Sequence, residues 1–114
     1  MAVAVFVHWA GMTSDQYDAL MARLGLDANT PAGAVLHVAT VTGDGVDICD
    51  IWQTEQAFNS YLQQRLFPAV SELRIGGEPQ IWVGPLHNLF AADPTMIDRI
   101  GAISLPASIA SWSS

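Results

Sequence analysis

The chain has 114 residues, half of them apolar, with a net charge of −7, four arginines and no lysine. This length supports one domain with a single core, and the shortage of cations argues against a nucleic-acid or anionic-membrane partner, because little could neutralise phosphates. No apolar run reaches the ~18 residues of a membrane span, and the apolar N-terminus lacks the basic start of a signal peptide, so we expect a cytoplasmic protein.

The first two predicted elements are a strand and a helix. Residues Val3 to Trp9 are β-rich and predict a strand with Val3 and Trp9 on one face and His8 on the other. Thr13 with Gln16 three residues later has the pattern of a capping box, and a helical stripe follows. The stripe consists of Tyr17, Leu20, Met21 and Leu24. Gly25 is the predicted end of the helix.

A short turn, Gly43-Asp44-Gly45, separates two apolar runs and predicts a tight hairpin. The two runs are Ala34 to Val41 and Val46 to Trp52. If Thr42 pairs with Gly45, His37 lies opposite Asp50. A register shift of two residues keeps this pair on one face as diagonal neighbours, whereas a shift of one residue separates it.

A second helix is predicted to begin after the cap residue Thr54. Its buried stripe is Phe58, Tyr61, Leu62 and Leu66. Pro68 is expected to kink or restart the helix, so that Ala69 to Arg74 forms a separate short helix ended by Gly76-Gly77.

A fourth strand is predicted over Gln80 to Val83, resuming at Leu86 to Phe90 after Gly84-Pro85. The order strand, helix, strand, strand, helix, strand is that of the α+β ferredoxin-like fold, the split βαβ pattern. Two helices would cover one face of the sheet and leave the other face apolar. We therefore expect a homodimer in which two sheets pack face to face.

The domain is predicted to occupy residues 1–90, and residues 91–114 form a C-terminal extension. Asp93-Pro94 favours a short helix reaching Ile100. The part beyond Gly101 is too apolar for a simple disordered tail, so we expect it to pack on its own domain or on the partner subunit. Its apolar residues include Ile103, Leu105, Ile109 and Trp112.

Several short segments resemble one family. They are His8-Trp9, residues 35–39, the run from Asp50 through Trp52 and Thr54 to Phe58, and Arg65 to Ala69. Over residues 2–90 the chain resembles the dimeric α/β barrel superfamily, and within it the antibiotic biosynthesis monooxygenase-like proteins. The resemblance implies a homodimer and a pocket between the sheet and its helices.

The resemblance leaves the reaction open. Members of the superfamily include cofactor-free oxygenases of polyketide-like aromatics, cyclases, lactone isomerases, haem-degrading enzymes and proteins without known chemistry. The haem-degrading members use a haem-ligating histidine on the second helix, and this chain has no histidine between Thr54 and Gly77. That role therefore does not transfer.

His37 and Asp50 are the leading catalytic candidates. An imidazole oriented by a carboxylate can act as a general base toward an acidic carbon or a phenol. The competing interpretation is a buried polar pair that fixes strand register. His8 is a candidate second proton donor or, alternatively, a histidine near solvent at the strand end.

The remaining candidates would bind substrate. Trp9, Trp52 and Trp82 lie on three strands and could wall a flat molecule, although tryptophans also fill cores. His87 and Asn88 could bind a carbonyl or oxyanion, or simply belong to a loop. Tyr61 lies one helical turn from an arginine that could bind a carboxylate, although a surface role is commoner.

We predict no metal and no cofactor, since no ligand spacing or phosphate-binding loop is present. The prediction is a small cofactor-independent enzyme that uses His/Asp acid–base chemistry on an apolar or aromatic molecule, monooxygenase-like in reaction. A non-redox isomerase, cyclase or lyase is the second interpretation. A non-catalytic module for small-molecule binding or assembly is the third.

Overall fold

A computed structural model describes residues 1–101 of the chain. Four strands and two helical segments form the body of the fold, and a short helical segment follows it. The strands are β1 (Val3–Ala10), β2 (Ala34–Thr42), β3 (Gly45–Trp52) and β4 (Gln80–Pro85). The helices are α1 (Ser14–Leu24), α2 (Glu55–Tyr61), which continues through a π-helical turn (Leu62–Leu66) into α3 (Phe67–Glu72), and α4 (Ile97–Ile100) after a 3₁₀ turn (Pro94–Met96).

The sheet is antiparallel between neighbours, with the order β2-β3-β1-β4. This is the ferredoxin-like α+β fold that the element order predicts. The hairpin has the predicted register, with Thr42 opposite Gly45 and His37 opposite Asp50. A bulge between Ala34 and Leu36 lies beyond the pair and leaves its register unchanged.

Helix α1 has both of its predicted ends. The Thr13 side chain accepts a hydrogen bond from the Gln16 backbone, and the Gln16 side chain accepts one from the Thr13 backbone. Gly25 ends the helix in the left-handed conformation, which only glycine adopts without steric cost. These local signals fix where α1 lies between β1 and β2.

The two faces of the sheet differ sharply in burial. On β1, Val3, Val5, Val7 and Trp9 are buried beneath the helices. The opposite face, called the open face below, is the one that carries Phe6 and its strand neighbours. Phe6, Val38 and Trp82 on this face are 52%, 48% and 56% exposed. An uncovered apolar face is typical of a protein–protein interface.

The second helical segment departs from the prediction around Pro68. Instead of stopping and restarting at Ala69, the backbone widens into a π turn and continues into α3, which ends at Glu72. In an α-helix, the Pro68 ring would clash with the carbonyl one turn earlier, and the wider turn relieves that clash. Pro68 then occupies the first turn of α3, where its missing N–H costs nothing.

The predicted extension of the fourth strand is wrong. β4 runs without a break to Pro85, and residues 86–90 form no strand. Pro85 is tolerated because β4 is an edge strand. After Pro85, the Leu86 N–H donates a hydrogen bond to the carbonyl of Ala2, just before β1, at 2.9 Å.

The start of the C-terminal extension follows the prediction in part. The Asp93 side chain accepts a hydrogen bond from the Thr95 backbone, and a 3₁₀ turn precedes α4. The apolar residues predicted to pack beyond Gly101 lie outside the described residues. Within residues 1–101, no helix is both long enough and apolar enough to cross a bilayer.

Candidate acid–base site

His37 and Asp50 form a direct hydrogen bond beneath the helices. Nδ1 of His37 lies 2.6 Å from Oδ1 of Asp50. The Asp50 side chain is 10% exposed and that of His37 is 26% exposed, so the carboxylate is covered while one part of the ring reaches solvent. Because an ionised carboxylate only accepts hydrogen bonds, we assign the Nδ1 proton to His37.

Tyr17 forms a hydrogen bond with the other ring nitrogen of His37. Its hydroxyl oxygen lies 2.7 Å from Nε2 of His37, and the two rings are nearly parallel, with centroids 6.1 Å apart. With Nδ1 protonated, Nε2 is the acceptor and the phenol O–H is the donor. Sequence reasoning assigned Tyr17 only to the apolar stripe of α1 and missed this contact.

Trp52 and Tyr61 complete the buried side of the site. The Trp52 indole N–H donates to Oδ2 of Asp50 at 3.2 Å, so both carboxylate oxygens have a partner. The Tyr61 ring packs on Trp52 at a centroid distance of 5.1 Å. An ordered chain of hydrogen bonds thus runs from Trp52 through Asp50 and His37 to Tyr17.

Both tyrosines are held in the neutral form. Burial, followed by the negative charges of Asp50 and Asp18, raises the pKa of Tyr17 to about 12. Burial and the Asp50 carboxylate also raise the pKa of Tyr61 above that of a free phenol. At neutral pH the Tyr17 hydroxyl is therefore a proton donor to His37.

The fold explains why these residues meet. His37, Asp50 and Val5 form one row across β2, β3 and β1. α1 is the crossover between β1 and β2, and it sets Tyr17 above His37. Arg65, in the π turn, donates to the carbonyls of Leu24 at the end of α1 and Asn29 in the following loop, each at 2.7 Å, and so fixes the end of α1.

Two predicted aromatic walls lie away from this pair. Trp9 is buried at the other end of the sheet, four residues along β1 from the residue that pairs with Asp50, and its indole N–H donates to the Gly76 carbonyl. Trp82 is on the open face. Of these three predicted wall residues, only Trp52 contacts the pair.

The other two histidines are also remote from His37. His8 is on the open face, where its Nδ1 lies 2.6 Å from Oδ1 of Asp47. His87 and Asn88 are exposed and follow β4, at the sheet edge opposite β2. In the part of the chain that the structure describes, no three histidine, cysteine or acidic side chains come close enough to bind one metal ion.

Two clefts of the described surface lie away from His37. One, of about 330 Å³, lies where the start of β1 and the end of β4 meet α2. It is lined by Met1, Val3, Glu55, Val83, Gly84 and Pro85. Another follows the outer side of α2 and the π turn, from Glu55 to Gln64. His37 and Tyr17 are both partly exposed, so solvent reaches the site at their rim.

Comparison with known proteins gives structural relatives alone. No family model matches the chain, and no curated protein matches it in sequence. NE2512 of Nitrosomonas europaea, a protein of unknown function, superposes with a TM-score of 0.63 at 19% identity, over 81% of this chain and 95% of that one. SnoaB of Streptomyces nogalater, a cofactor-independent oxygenase, gives 0.57 at 15% identity, over 77% and 94%.

A provisionally assigned antibiotic biosynthesis monooxygenase of Chloroflexus aurantiacus gives a TM-score of 0.51 at 21% identity, over 79% of this chain and 98% of that one. The chain shares its fold with the antibiotic biosynthesis monooxygenase-like proteins. The family resemblance seen in the sequence is thus confirmed at the level of fold. Fold alone does not assign a reaction, so the chemistry has to be argued from the site.

Proposed function

We propose that this chain is a small cofactor-independent enzyme in which His37 is a general base oriented by Asp50. The observation that supports the proposal most is the chain of three ionisable groups, Asp50, His37 and Tyr17, with its buried end anchored by Trp52. A carboxylate behind an imidazole fixes the tautomer and stabilises the imidazolium that forms when the ring takes a proton. Such a base contributes about 10²–10⁴-fold to a rate.

The monooxygenase-like reaction needs no external reductant. Removal of a proton from a phenol gives an electron-rich anion, which can react with dioxygen at the para carbon. A C–O bond forms there, and loss of water from the resulting hydroperoxide leaves a carbonyl. For 1-naphthol the balance is 1-naphthol + O₂ → 1,4-naphthoquinone + H₂O, and the substrate supplies all the electrons. The similarity to SnoaB supports this choice of reaction.

The proposed assembly is a homodimer that pairs the open faces of two sheets. Three large apolar side chains on this face, Phe6, Val38 and Trp82, are about half exposed in the single chain. Pairing would remove them from water and contribute stability in proportion to the apolar area buried.

A non-catalytic role has one specific observation in its favour. The His37–Asp50 pair is fully hydrogen-bonded, and neither cleft described above includes it. A pair of this kind can serve only to fix strand register. In that case, loss of His37 lowers stability and changes nothing else.

Oxygen uptake with 1-naphthol tests the proposal. We expect wild type to consume O₂ and form naphthoquinone, and His37→Gln to lose at least about tenfold in rate. Glutamine keeps an N–H for Asp50 but is not a base, so the fold is expected to survive. His8→Gln is the matched control, because it removes a histidine with the same 2.6 Å carboxylate contact on the other face of the sheet.

Two outcomes would contradict the proposal, and a third would change the reaction that is assigned. Equal O₂ uptake by wild type and His37→Gln would contradict the role of His37. No uptake by wild type, combined with a lower melting temperature of His37→Gln, would favour the non-catalytic role. Proton exchange into naphthol without O₂ uptake would instead indicate a non-redox isomerase or cyclase.

A further inference from the structure

Tyr17 stands between His37 and any substrate. The Nδ1 atom of His37 already carries a proton that is hydrogen-bonded to Asp50, so Nε2 is the ring nitrogen that can accept another proton. That nitrogen is already hydrogen-bonded to the Tyr17 hydroxyl at 2.7 Å. A substrate proton therefore reaches His37 either after Tyr17 has moved away or by passing through the Tyr17 oxygen.

The geometry points to the second route, and we propose that Tyr17 is a catalytic residue that relays the substrate's proton to His37. The relay rests on the proposed function. In it, the substrate O–H or C–H bond breaks as a new O–H bond forms on Tyr17. In the same step, the original Tyr17 O–H bond breaks and an N–H bond forms at Nε2 of His37. The products are the substrate anion and an imidazolium paired with Asp50.

Three features of the site support a relay over displacement. The planes of the Tyr17 and His37 rings lie within 4° of parallel, an orientation that suits a hydrogen bond from the phenol to the in-plane lone pair of Nε2. Tyr17 is carried by α1, and both ends of this helix are fixed, by the capping box and by the Arg65 contacts. Finally, concerted transfer never requires a free tyrosinate, which agrees with the raised pKa of this phenol.

The charged groups around Tyr17 also bear on the class of substrate that the site would take. After burial, the charges of Asp50 and Asp18 help to raise the pKa of Tyr17, so they disfavour a further negative charge at its oxygen. Arg65, which could have bound a carboxylate, donates to two backbone carbonyls instead. The substrate class that this site fits is a neutral weak acid, a phenol or an enol, which brings the proton that His37 accepts and develops its charge only as the imidazolium forms.

The test is anaerobic stopped-flow mixing with 1-naphthol, at a pH where free naphthol is neutral, with the rate of naphtholate formation followed by absorbance. Without O₂, this measures proton transfer separately from oxidation. We expect wild type to form naphtholate, and Tyr17→Phe and His37→Gln to form it at a rate at least about tenfold lower. Phenylalanine keeps the aromatic ring at position 17 and removes only the relaying oxygen.

The outcomes separate the two proposals. Ionisation by Tyr17→Phe at the wild-type rate, with none by His37→Gln, overturns the relay and leaves His37 as the base. Equal ionisation by all variants, or none by wild type, overturns both. If Tyr17→Phe fails to fold, the rate of naphtholate formation by wild type in H₂O/D₂O mixtures decides: a curved dependence on the D₂O fraction indicates two protons in flight, and a linear one contradicts the relay.

Discussion

The two tyrosines of this chain lie in one site, and the pKa values of their hydroxyl groups depend directly on its charges and burial. Tyr17 is hydrogen-bonded to His37, and Tyr61 packs on Trp52, which is hydrogen-bonded to Asp50. Both phenols have a raised pKa for the same main reason, burial beside the Asp50 carboxylate. Because the chain has only these two tyrosines, a simple absorbance titration reads the electrostatics of the site without background from other phenols.

We predict that neither tyrosine ionises in the folded protein at about pH 10 to 11, whereas both do so in urea. Since the folded pKa of Tyr17 is raised from 10.0 to about 12, the unfolded chain releases its phenol protons first, and the free energy of unfolding falls as pH rises across that range. After allowance for solvent screening, the Tyr17 share is about 1 kcal/mol. Tyr17→Phe should show a shallower fall, and a fall as steep as in wild type would contradict this assignment.

The sequence predicts part of this site and misses the rest for identifiable reasons. The meeting of His37 and Asp50 follows from alternation and a short turn, which are local signals. Tyr17 was hidden because its spacing fits an apolar helical stripe and says nothing about where its hydroxyl points. The available signal was topological: a helix that crosses from β1 to β2 lies over β2, and Tyr17 is the polar-tipped member of its stripe.

At the scale of elements, the β2–β3 hairpin sets the register on which the site depends. Gly45 is essential to it because its φ is +143° and an added Cβ would lie 2.2 Å from the Trp9 carbonyl oxygen on the neighbouring strand. Gly43, in the same turn, has nothing within 4 Å of such an atom. The pairing of β3 with both β2 and β1 thus depends on Gly45 and not on Gly43.

We predict that Gly45→Ala lowers the free energy of unfolding by about 2–4 kcal/mol, because backbone strain adds to a clash with backbone. Gly43→Ala is expected to change it by less than about 1 kcal/mol. Urea unfolding of the two variants measures both values. Similar losses in the two would show that the hairpin does not hold the close approach to β1 described above.

The elements that the sequence predicted imperfectly depend on tertiary context. A proline in a helical pattern predicts a break, but the π turn at Leu62–Leu66 absorbs it and keeps the helix continuous. The same turn carries Arg65, whose two carbonyl contacts are 36 and 41 residues away in sequence. No local pattern encodes contacts of that range.

The whole molecule presents one buried and one uncovered sheet face, and the uncovered one is the proposed dimer interface. Val38 and Val41 offer a matched comparison, since they lie three residues apart on β2 and are 48% and 45% exposed. Val38 is opposite Cys49 on the open face, and Val41 is opposite Val46 on the helix-covered face.

We predict that wild type sediments as a dimer, that Val38→Asp sediments as a folded monomer and that Val41→Asp remains dimeric. The physical reason is that a charge buried in an apolar interface is costly without a partner. Analytical ultracentrifugation gives the masses, and circular dichroism checks the fold. A monomeric wild type, or equal dissociation of both variants, would contradict the assigned interface.

Nitrogen NMR of the three histidines measures most directly whether His37 takes a proton from a bound neutral acid. His37→Gln identifies its signals. We expect Nε2 of His37 to gain a proton when 1-naphthol binds without O₂, giving an imidazolium with both nitrogens protonated, while His8 and His87 do not change. A His37 ring that gains no proton under saturating naphthol would contradict this role of His37.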